Sequence, residues 1–416
     1  MPTTSQHAET IVLHTGYRSD PATTAVAVPI YQTTSYQFNS TEHAGNLFAL
    51  KEFGNIYTRI MNPTQAVLEE RVAALEGGVA ALAVASGQAA SLFAVQNICH
   101  VGDNFVCSTD IYGGTWNLFQ NTMSTMGIEC RFVDPADPEN FRKASDARTR
   151  CWYGETLPNP KLAVFPIAEV AKIGRAMGIP LIMDNTACPV LCKPIEHGAA
   201  IVMHSTTKYI GGHGTSIGGI LIDGGNFDWE KHADRFPMLN TPDPSYHGAV
   251  WTQAVKPLGP IAYIIKARVT LLRDIGAAMS PFNAFMFIQG LETVALRMRQ
   301  HCSNAIAVAN YLTKHPKVSK VIFPRPDDGG EQAPRGRLSE GWLWRAGRLR
   351  AQERQRGRPQ IHRQPEAALS CRKHRRCPLA RHSSGHHDSL AIVAGGATAD
   401  RRHRGICAAC GRHRAS

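Results

Sequence analysis

The spacing of apolar residues changes at about residue 61. Residues 1–60 contain Gly-, Pro- and Thr-rich stretches with little periodicity, which predicts an irregular N-terminal arm. Helical spacing then begins at Asn62–Pro63 and stops at Gly77–Gly78, where a cap-like Asn and a Gly pair are typical of helix ends. Short apolar runs (ALAVAS, NFVCST, IPLIMD and AAIVMHS) alternate with further helical segments. Strands that alternate with helices predict an α/β fold with a mostly parallel central sheet.

A long helical stretch begins near residue 260 with AYIIKARVTLLRDIG and continues in FNAFMFIQGLETVALRM. It predicts that an α/β domain at 61–259 is followed by the start of a second domain at 260–324. From residue 325 to residue 416 the sequence is Arg-rich and has neither helical nor strand periodicity. This composition predicts a disordered tail.

The net charge of +12 on 416 residues would be typical of a nucleic-acid-binding protein if it were spread over the fold. Residues 325–416 carry 20 Lys and Arg against 8 Asp and Glu, and 1–324 carry 25 of each sign, so all the excess charge lies in the tail. The start MPTTSQHAET has no signal-peptide pattern, and no apolar run reaches the length of a membrane span. We therefore expect a cytoplasmic protein with reduced cysteines, no nucleic-acid partner and no membrane partner.

Polar residues follow several of the predicted strands, where ligands of parallel sheets bind. Lys208 follows the strand IVMHSTT, and a nearby low-dielectric wall would favour the neutral amine that attacks an aldehyde. The alternative for any single lysine is a solvated surface position. Ser205 and Thr207 supply hydroxyls beside it, and the glycines of YIGGHGTS allow close approach of the backbone to a ligand.

Three further positions carry candidate chemistry. Asp184 ends a buried strand and is either a solvated cap or the partner of a pyridinium nitrogen. Ser86, Gly87 and Gln88 open a helix after a strand, where backbone N–H groups bind phosphate, although many turns look alike. Tyr112, in DIYGGT, is a core aromatic or a ring that stacks on a cofactor.

The order strand–SGQ–helix, Tyr–Gly–Gly, Asp at a strand end and Ser-x-Thr-Lys is similar to the cystathionine γ-synthase/methionine γ-lyase family. That family has the type I, aspartate-aminotransferase-like fold of pyridoxal 5'-phosphate (PLP) enzymes. The segments ALKEFGNIYTRIMNPT, LEERVAALEGG, PIEHGA, KYIGGHGTSIGG and PFNAFMFIQGLETVALRM resemble its O-acetylhomoserine sulfhydrylases. The resemblance runs from about residue 9 to Pro324, and it implies in addition that a C-terminal α+β domain is incomplete.

The resemblance implies a role for each matching position. Lys208 would bind the cofactor and move the Cα and Cβ protons, and Tyr112 would stack on the ring and assist the leaving group. Asp184 would pair with the ring nitrogen, and Glu155 and Asn159 would lie by the substrate amine and the phenolic oxygen. The implied phosphate ligands are Ser86, Gly87, Gln88, Ser205 and Thr207, with Tyr57 and Arg59 supplied by a neighbouring subunit, which requires a dimer or tetramer. The family commonly has Met at Gln88 and Gly or Ser at Pro158.

The implied reaction replaces the acetate of O-acetylhomoserine by sulfide and forms homocysteine, a step of methionine biosynthesis. Cystathionine γ-synthase or methionine γ-lyase chemistry is the alternative within the family, and a succinyl in place of the acetyl group stays open. A third alternative is a PLP-binding chain that cannot complete turnover, because the family's C-terminal domain carries the arginine for the substrate carboxylate.

The tail suggests why that domain is missing. When residues 340–356, 382–397 and 407–415 are written as degenerate codons and read one base later, each permits a family-like segment, in the right order. We interpret this as a frameshift close to codons 324–326. A zinc cluster of Cys407, Cys410, His403 and His413 and a nucleic-acid site at Arg372–Arg376 are then less favoured, because GC-rich DNA read out of frame yields such residues freely. No metal is expected.

Overall fold

The computed structural model describes residues 5–52 and 54–324. The predictions for residues 325–416, including the frameshift, the zinc-like cluster and the basic run, lie outside these described residues. The division into domains at residues 60, 259 and 324 stays a prediction. Among the described residues, no helix is both long and apolar enough to span a bilayer.

A seven-stranded sheet organises the described chain. Its strands are β1 (Ala80–Val84), β2 (Asn104–Ser108), β3 (Glu129–Val133), β4 (Thr149–Glu155), β5 (Leu181–Asp184), β6 (Ile201–His204) and β7 (Gly219–Asp223). The order is β1-β7-β6-β5-β4-β2-β3, and β7 alone runs antiparallel to both of its neighbours. The mostly parallel sheet is therefore confirmed. The pattern did not reveal β3, β4 or β7. Charged residues interrupt the apolar residues of β3 and β4, and the apolar run of β7 is only three residues long.

Fourteen α-helices surround the sheet within the described residues. They are α1 (Ala8–His14), α2 (Thr41–Phe48), α3 (Pro63–Glu76), α4 (Gly87–Gln96), α5 (Gly113–Asn117), α6 (Met123–Thr125), α7 (Glu139–Lys143), α8 (Ile167–Met177), α9 (Pro237–Asn240), α10 (Trp251–Ala254), α11 (Ala262–Lys266), α12 (Arg273–Ile275), α13 (Pro281–Glu292) and α14 (Val294–Lys314). Turns of π-helix lie at Leu118–Thr122 and Ala267–Leu272, and 3-10 turns at Pro194–His197, Pro244–Tyr246 and Lys256–Leu258. Two short helices, α1 and α2, lie within the N-terminal arm.

The ends of α3 show why local sequence predicted this helix well. The Asn62 side chain accepts the N–H of Thr64 at 2.9 Å, and Pro63 occupies the first helical position. Gly77 ends the helix with a φ of +76°, a conformation that a side chain would strain. The predicted boundaries at Asn62–Pro63 and Gly77–Gly78 are confirmed.

Both faces of the sheet are buried. Leu82 and Val84 of β1 join one apolar cluster, whereas Ala81 and Ala83 join the cluster on the other face. The helices after residue 260 cover both faces, since Tyr263 of α11 packs in the first cluster and Phe287 of α13 in the second. Burial on both faces explains the continuous apolar runs of these strands. It also leaves ligands access at the strand ends rather than over the sheet.

A carboxyl group that lacks a full set of partners ends β7. Asp223 is 2% exposed; its Oδ1 accepts the N–H of Gly225 at 2.9 Å, and its Oδ2 has no hydrogen-bond partner among the described residues. Burial raises the pKa of Asp223 to about 7. Because the folded pKa lies above the unfolded one, ionisation costs stability as pH rises from about 4 to about 7.

We expect Asp223→Asn to stabilise the protein at pH 8 by roughly 1–4 kcal/mol, since one pKa unit corresponds to about 1.4 kcal/mol. The gain should shrink towards zero as the pH falls below the unfolded-state pKa of 3.8, where the parent carboxyl is protonated in both states. Urea unfolding at a series of pH values measures the difference in free energy of unfolding between the variant and the parent. Asp228→Asn, the same substitution at an exposed position, is the control. A stability difference that does not vary with pH would contradict the assignment.

Candidate active site at the carboxyl edge of the sheet

The candidate residues meet at one edge of the sheet. Strands β2, β4, β5 and β6 are parallel, and β1 runs in the same direction as β6 because β7 is antiparallel to both. Their carboxyl ends therefore point the same way. From them come Ser86 after β1, Tyr112 after β2, Glu155 in β4, Asp184 in β5 and Lys208 after β6. An edge where several parallel strands end is where such sheets bind ligands.

The first turn of α4 forms an anion-binding corner. Ser86 caps the helix by accepting the N–H of Ala89 at 3.1 Å, and the backbone N–H groups of Gly87 and Gln88 have no partner among the described residues. A Cβ at Gly87 would lie 2.6 Å from the Cβ of Ser205, so only glycine lets the helix approach the loop after β6. Open N–H groups beside a serine hydroxyl fit a phosphate.

The loop after β6 is held by its own hydroxyls. Thr207 Oγ1 donates to the carbonyl of Gly218 at 3.2 Å and accepts its N–H at 3.1 Å. The N–H of Ser205 donates to Thr186 Oγ1 at 2.8 Å. The hydroxyl of Thr207 therefore braces the loop in the single chain, whereas Ser205 lies directly against Gly87.

Lys208 is exposed in the single chain, so the expected low-dielectric wall beside its amine is not present. The strand before it is buried, but the turn Ser205–Thr207 carries the lysine beyond the sheet edge. Its backbone N–H donates to Ser205 O at 3.2 Å, and its carbonyl accepts from Gly212 at 2.8 Å. The loop therefore fixes the backbone of Lys208 and leaves its side chain exposed.

Two buried carboxyls lie side by side at the centre of the edge. Glu155 of β4 pairs in register with Asp184 of β5, so the two side chains share one face of the sheet. Burial, and then the neighbouring Asp184, raise the pKa of Glu155 to about 9. Burial also raises the pKa of Asp184, against the opposing effects of its bonds to Thr186 and of nearby His204. Asp184 Oδ1 accepts the N–H of Thr186 at 2.9 Å.

Asp184 fits the nitrogen of a pyridine ring. It is 7% exposed, and within the described residues it forms no salt bridge with a lysine or arginine. A buried carboxylate without a cation is costly, and a protonated ring nitrogen would offset that cost. The open N–H groups of the α4 corner fit a phosphate in the same way. The residues present therefore fit PLP.

The remaining candidates lie around this centre. The N–H of Tyr112 donates to Glu155 Oε2 at 2.7 Å, and the tyrosine ring is 50% exposed and lies over Gly114. Asn159 is exposed, and its backbone N–H also binds the Glu155 carboxylate. Gln88 accepts from Thr115 Oγ1 at 3.2 Å, which ties the α4 corner to α5.

Tyr57 and Arg59 lie elsewhere on the chain. The Arg59 guanidinium lies 5.2 Å from the centroid of the Tyr57 ring, and both residues are exposed. They line a surface cavity of about 470 Å³ with residues 32–34 and 276–278, and no residue of the sheet-edge site is among its lining residues. Both side chains are therefore open to solvent in the single chain.

Sequence reasoning missed Thr186, which joins two parts of the site. Its N–H binds Asp184 and its hydroxyl accepts the N–H of Ser205. The available signal was the spacing D-N-T, in which Asp caps the backbone two residues later. Glu155 could be placed only by resemblance, because β4 was not recognised as a strand.

A buried acid pair and an anion-binding corner at the carboxyl edge of an α/β sheet define a type I PLP-dependent enzyme. Residues 9–334 match the family model for Cys/Met metabolism PLP-dependent enzymes, and the chain belongs to that family. PLP is the cofactor of this family, as the resemblance predicted, and the roles of the individual site residues stay predictions.

Two curated relatives and a solved structure also support membership of this family. An O-acetyl-L-homoserine sulfhydrylase from Leptospira meyeri is 56% identical over 76% of this chain and 72% of its own length. A homocysteine synthase from Schizosaccharomyces pombe is 48% identical over 78% of this chain and 75% of its own. A putative O-acetylhomoserine (thiol)-lyase from Campylobacter jejuni, solved with N'-pyridoxyl-lysine-5'-monophosphate, superposes with a TM-score of 0.72 at 41% identity, covering 76% of this chain and 77% of that one.

The acid pair generates a prediction that requires no turnover. In the cofactor-free protein at pH 7 we expect infrared spectra to show a protonated carboxyl that disappears in Glu155→Gln and titrates near pH 9. Asp184→Asn should lower the pH of that titration, since the Asp184 charge contributes to the raised pKa of Glu155. An unchanged titration in Asp184→Asn would contradict the coupling.

Proposed function

We propose that this chain is built to catalyse the PLP-dependent γ-replacement of O-acetylhomoserine by sulfide, with homocysteine and acetate as products. The observation that carries the proposal is the sheet-edge site on a chain 56% identical to an O-acetyl-L-homoserine sulfhydrylase. Lys208 is the residue proposed to bind the cofactor aldehyde. The other cofactor-binding residues proposed are Ser86, Gly87, Gln88, Tyr112, Asn159, Asp184, Ser205 and Thr207.

PLP, when bound, supplies a ring that withdraws electrons from the substrate Cα. The task of Asp184 is to keep the ring nitrogen charged, and the α4 corner holds the phosphate. Glu155 carries its proton at neutral pH and holds the backbone of Tyr112 at 2.7 Å. The phenol of Tyr112 is exposed beside the site, where it would assist the departure of acetate from the substrate Cγ.

The exposed side chain of Lys208 is suited to moving protons. Removal of the Cα proton and then of a Cβ proton from O-acetylhomoserine allows acetate to leave from Cγ with the bonding electrons. Sulfide then forms the new bond at Cγ, and the two protons return to Cβ and Cα. Rotation about the long, exposed lysine side chain would let one amine serve both carbon atoms.

Two alternatives rest on separate observations. The first is γ-synthase or γ-lyase chemistry on the same residues, and cysteine rather than sulfide as the preferred second substrate would indicate it. The second is a chain that binds PLP without turnover. It is favoured by the extent of the match, which covers 72% of the Leptospira relative's length, and by the absence of family-like sequence after residue 334.

We also propose a homo-oligomer, at least a dimer, that works in the cytoplasm. Tyr57 and Arg59 are exposed and lie in a cavity separate from the Lys208 site, although a guanidinium is well suited to bind phosphate bidentately. Their position is explained if Tyr57 and Arg59 of each subunit contact the phosphate bound at the α4 corner of the partner subunit.

The first test is the absorbance of the purified chain with PLP, followed by addition of O-acetylhomoserine and sulfide. We expect a lysine-bound cofactor band that Lys208→Ala abolishes, together with homocysteine formation that falls by about 10²–10⁴-fold or more, the range for one proton-transferring side chain. Lys172→Arg, on the exposed surface of α8, is the control. A band without homocysteine would favour the non-turnover alternative, and no band in a folded chain would contradict the cofactor assignment.

The shared site predicts complementation between two inactive variants. Arg59→Ala and Lys208→Ala subunits, unfolded and refolded together, should form hybrid dimers in which one of the two sites is intact. Random pairing then restores about a quarter of the parent activity. Mixtures that remain as inactive as the separate variants would show that Arg59 does not act on a partner's site.

A further inference from the structure

Beneath the acid pair lies a buried polar cluster that the reaction does not use directly. Glu76, the last residue of α3, lies 2.8 Å from His204, measured from Oε1 to Nε2, and each side chain is 1% exposed. The fully buried Asn185 donates through Nδ2 to both oxygens of the same carboxyl, at 3.1 and 3.3 Å. Burying three polar side chains in an apolar interior costs folding free energy unless they form hydrogen bonds with one another.

The cluster joins the two strand ends that carry the site. Asn185 directly follows Asp184 at the end of β5, and His204 directly precedes Ser205 at the end of β6. The backbone links the same ends, since the N–H of Asn185 donates to Met203 O at 2.9 Å. Glu76 of α3 therefore contacts the ends of two strands. One is the end of β5, which carries Asp184, and the other is the end of β6, which leads to Lys208.

His204 also acts on Asp184 electrostatically. Asp184 lies next to Met203 in the register of β5 and β6, so His204 is one residue further along the neighbouring strand. Its charge opposes the rise that burial causes in the pKa of Asp184. A shift of the His204 ring would therefore change both the position and the ionisation of the carboxyl that faces the cofactor site.

We propose that Glu76 is a positioning residue, which through Asn185 and His204 holds Asp184 in place for a ring nitrogen. This inference rests on the proposed function, because it concerns the carboxyl that would meet PLP. Glu76 contacts neither substrate nor cofactor. Replacing Glu76 should therefore reduce the part of the PLP binding free energy that comes from the ring nitrogen. A general loss of packing would weaken PLP binding without reducing that part selectively.

The test compares PLP with an analogue in which carbon replaces the ring nitrogen. Equilibrium dialysis gives the two dissociation constants, and the parent chain is expected to bind PLP more tightly. In Glu76→Gln, which keeps the side-chain volume, we expect this preference to fall by roughly tenfold. Asn185→Ser removes the hydrogen bonds from Asn185 to Glu76 and should lower the preference for PLP by a smaller factor. This variant replaces Glu76→Gln in the test if Glu76→Gln does not fold.

The matched control is Glu69→Gln. Glu69 lies on the same helix, is 7% exposed, and binds Arg268 at 2.6 Å and the N–H of Ala83 at 2.7 Å, away from β5 and β6. It should weaken folding without changing the preference. Equal weakening of both ligands in Glu76→Gln, or no change, would overturn the inference while leaving PLP binding intact. A parent chain that binds neither compound would overturn the cofactor assignment and the inference with it.

Discussion

The common direction of five strands is the constraint on which this site depends. Because β1, β2, β4, β5 and β6 all end at one edge, residues separated by more than 100 positions in sequence come together without any long loop. The reversed strand β7 preserves this arrangement by lying between β1 and β6. Helices and loops cover both faces of the central strands, so a ligand reaches these strands at their carboxyl ends and its binding does not compete with packing.

Electrostatics at the edge follows from that burial. Glu155 and Asp184 are forced into register on adjacent strands, where water cannot stabilise two negative charges. One carboxyl is therefore protonated, while the other has bonds from Thr186 and lies near His204. A cationic ring nitrogen would complete the balance. The same principle applies at the α4 corner, where helix N–H groups without protein partners among the described residues favour the binding of an anion.

The cluster under the site shows how the interior supports this balance. Glu76 belongs to α3, a helix whose ends are set by local capping, whereas its carboxyl is used by strand ends at residues 185 and 204. A helix placed by its own sequence thus fixes the relative position of two strands. The exposed pair Tyr57 and Arg59 lies apart from this support, in a separate surface cavity.

Local sequence determined those features that depend on a few neighbouring residues. The caps of α3, the apolar runs of β1, β2, β5 and β6, and the polar triplets after them were all readable, because helix ends and buried strands have local signatures. Tertiary structure alone decided the pairing of Glu155 with Asp184, the bridging role of Thr186 and the exposure of Lys208. These depend on strand order, register and the path of a turn, which contacts between distant residues set and which no local pattern records.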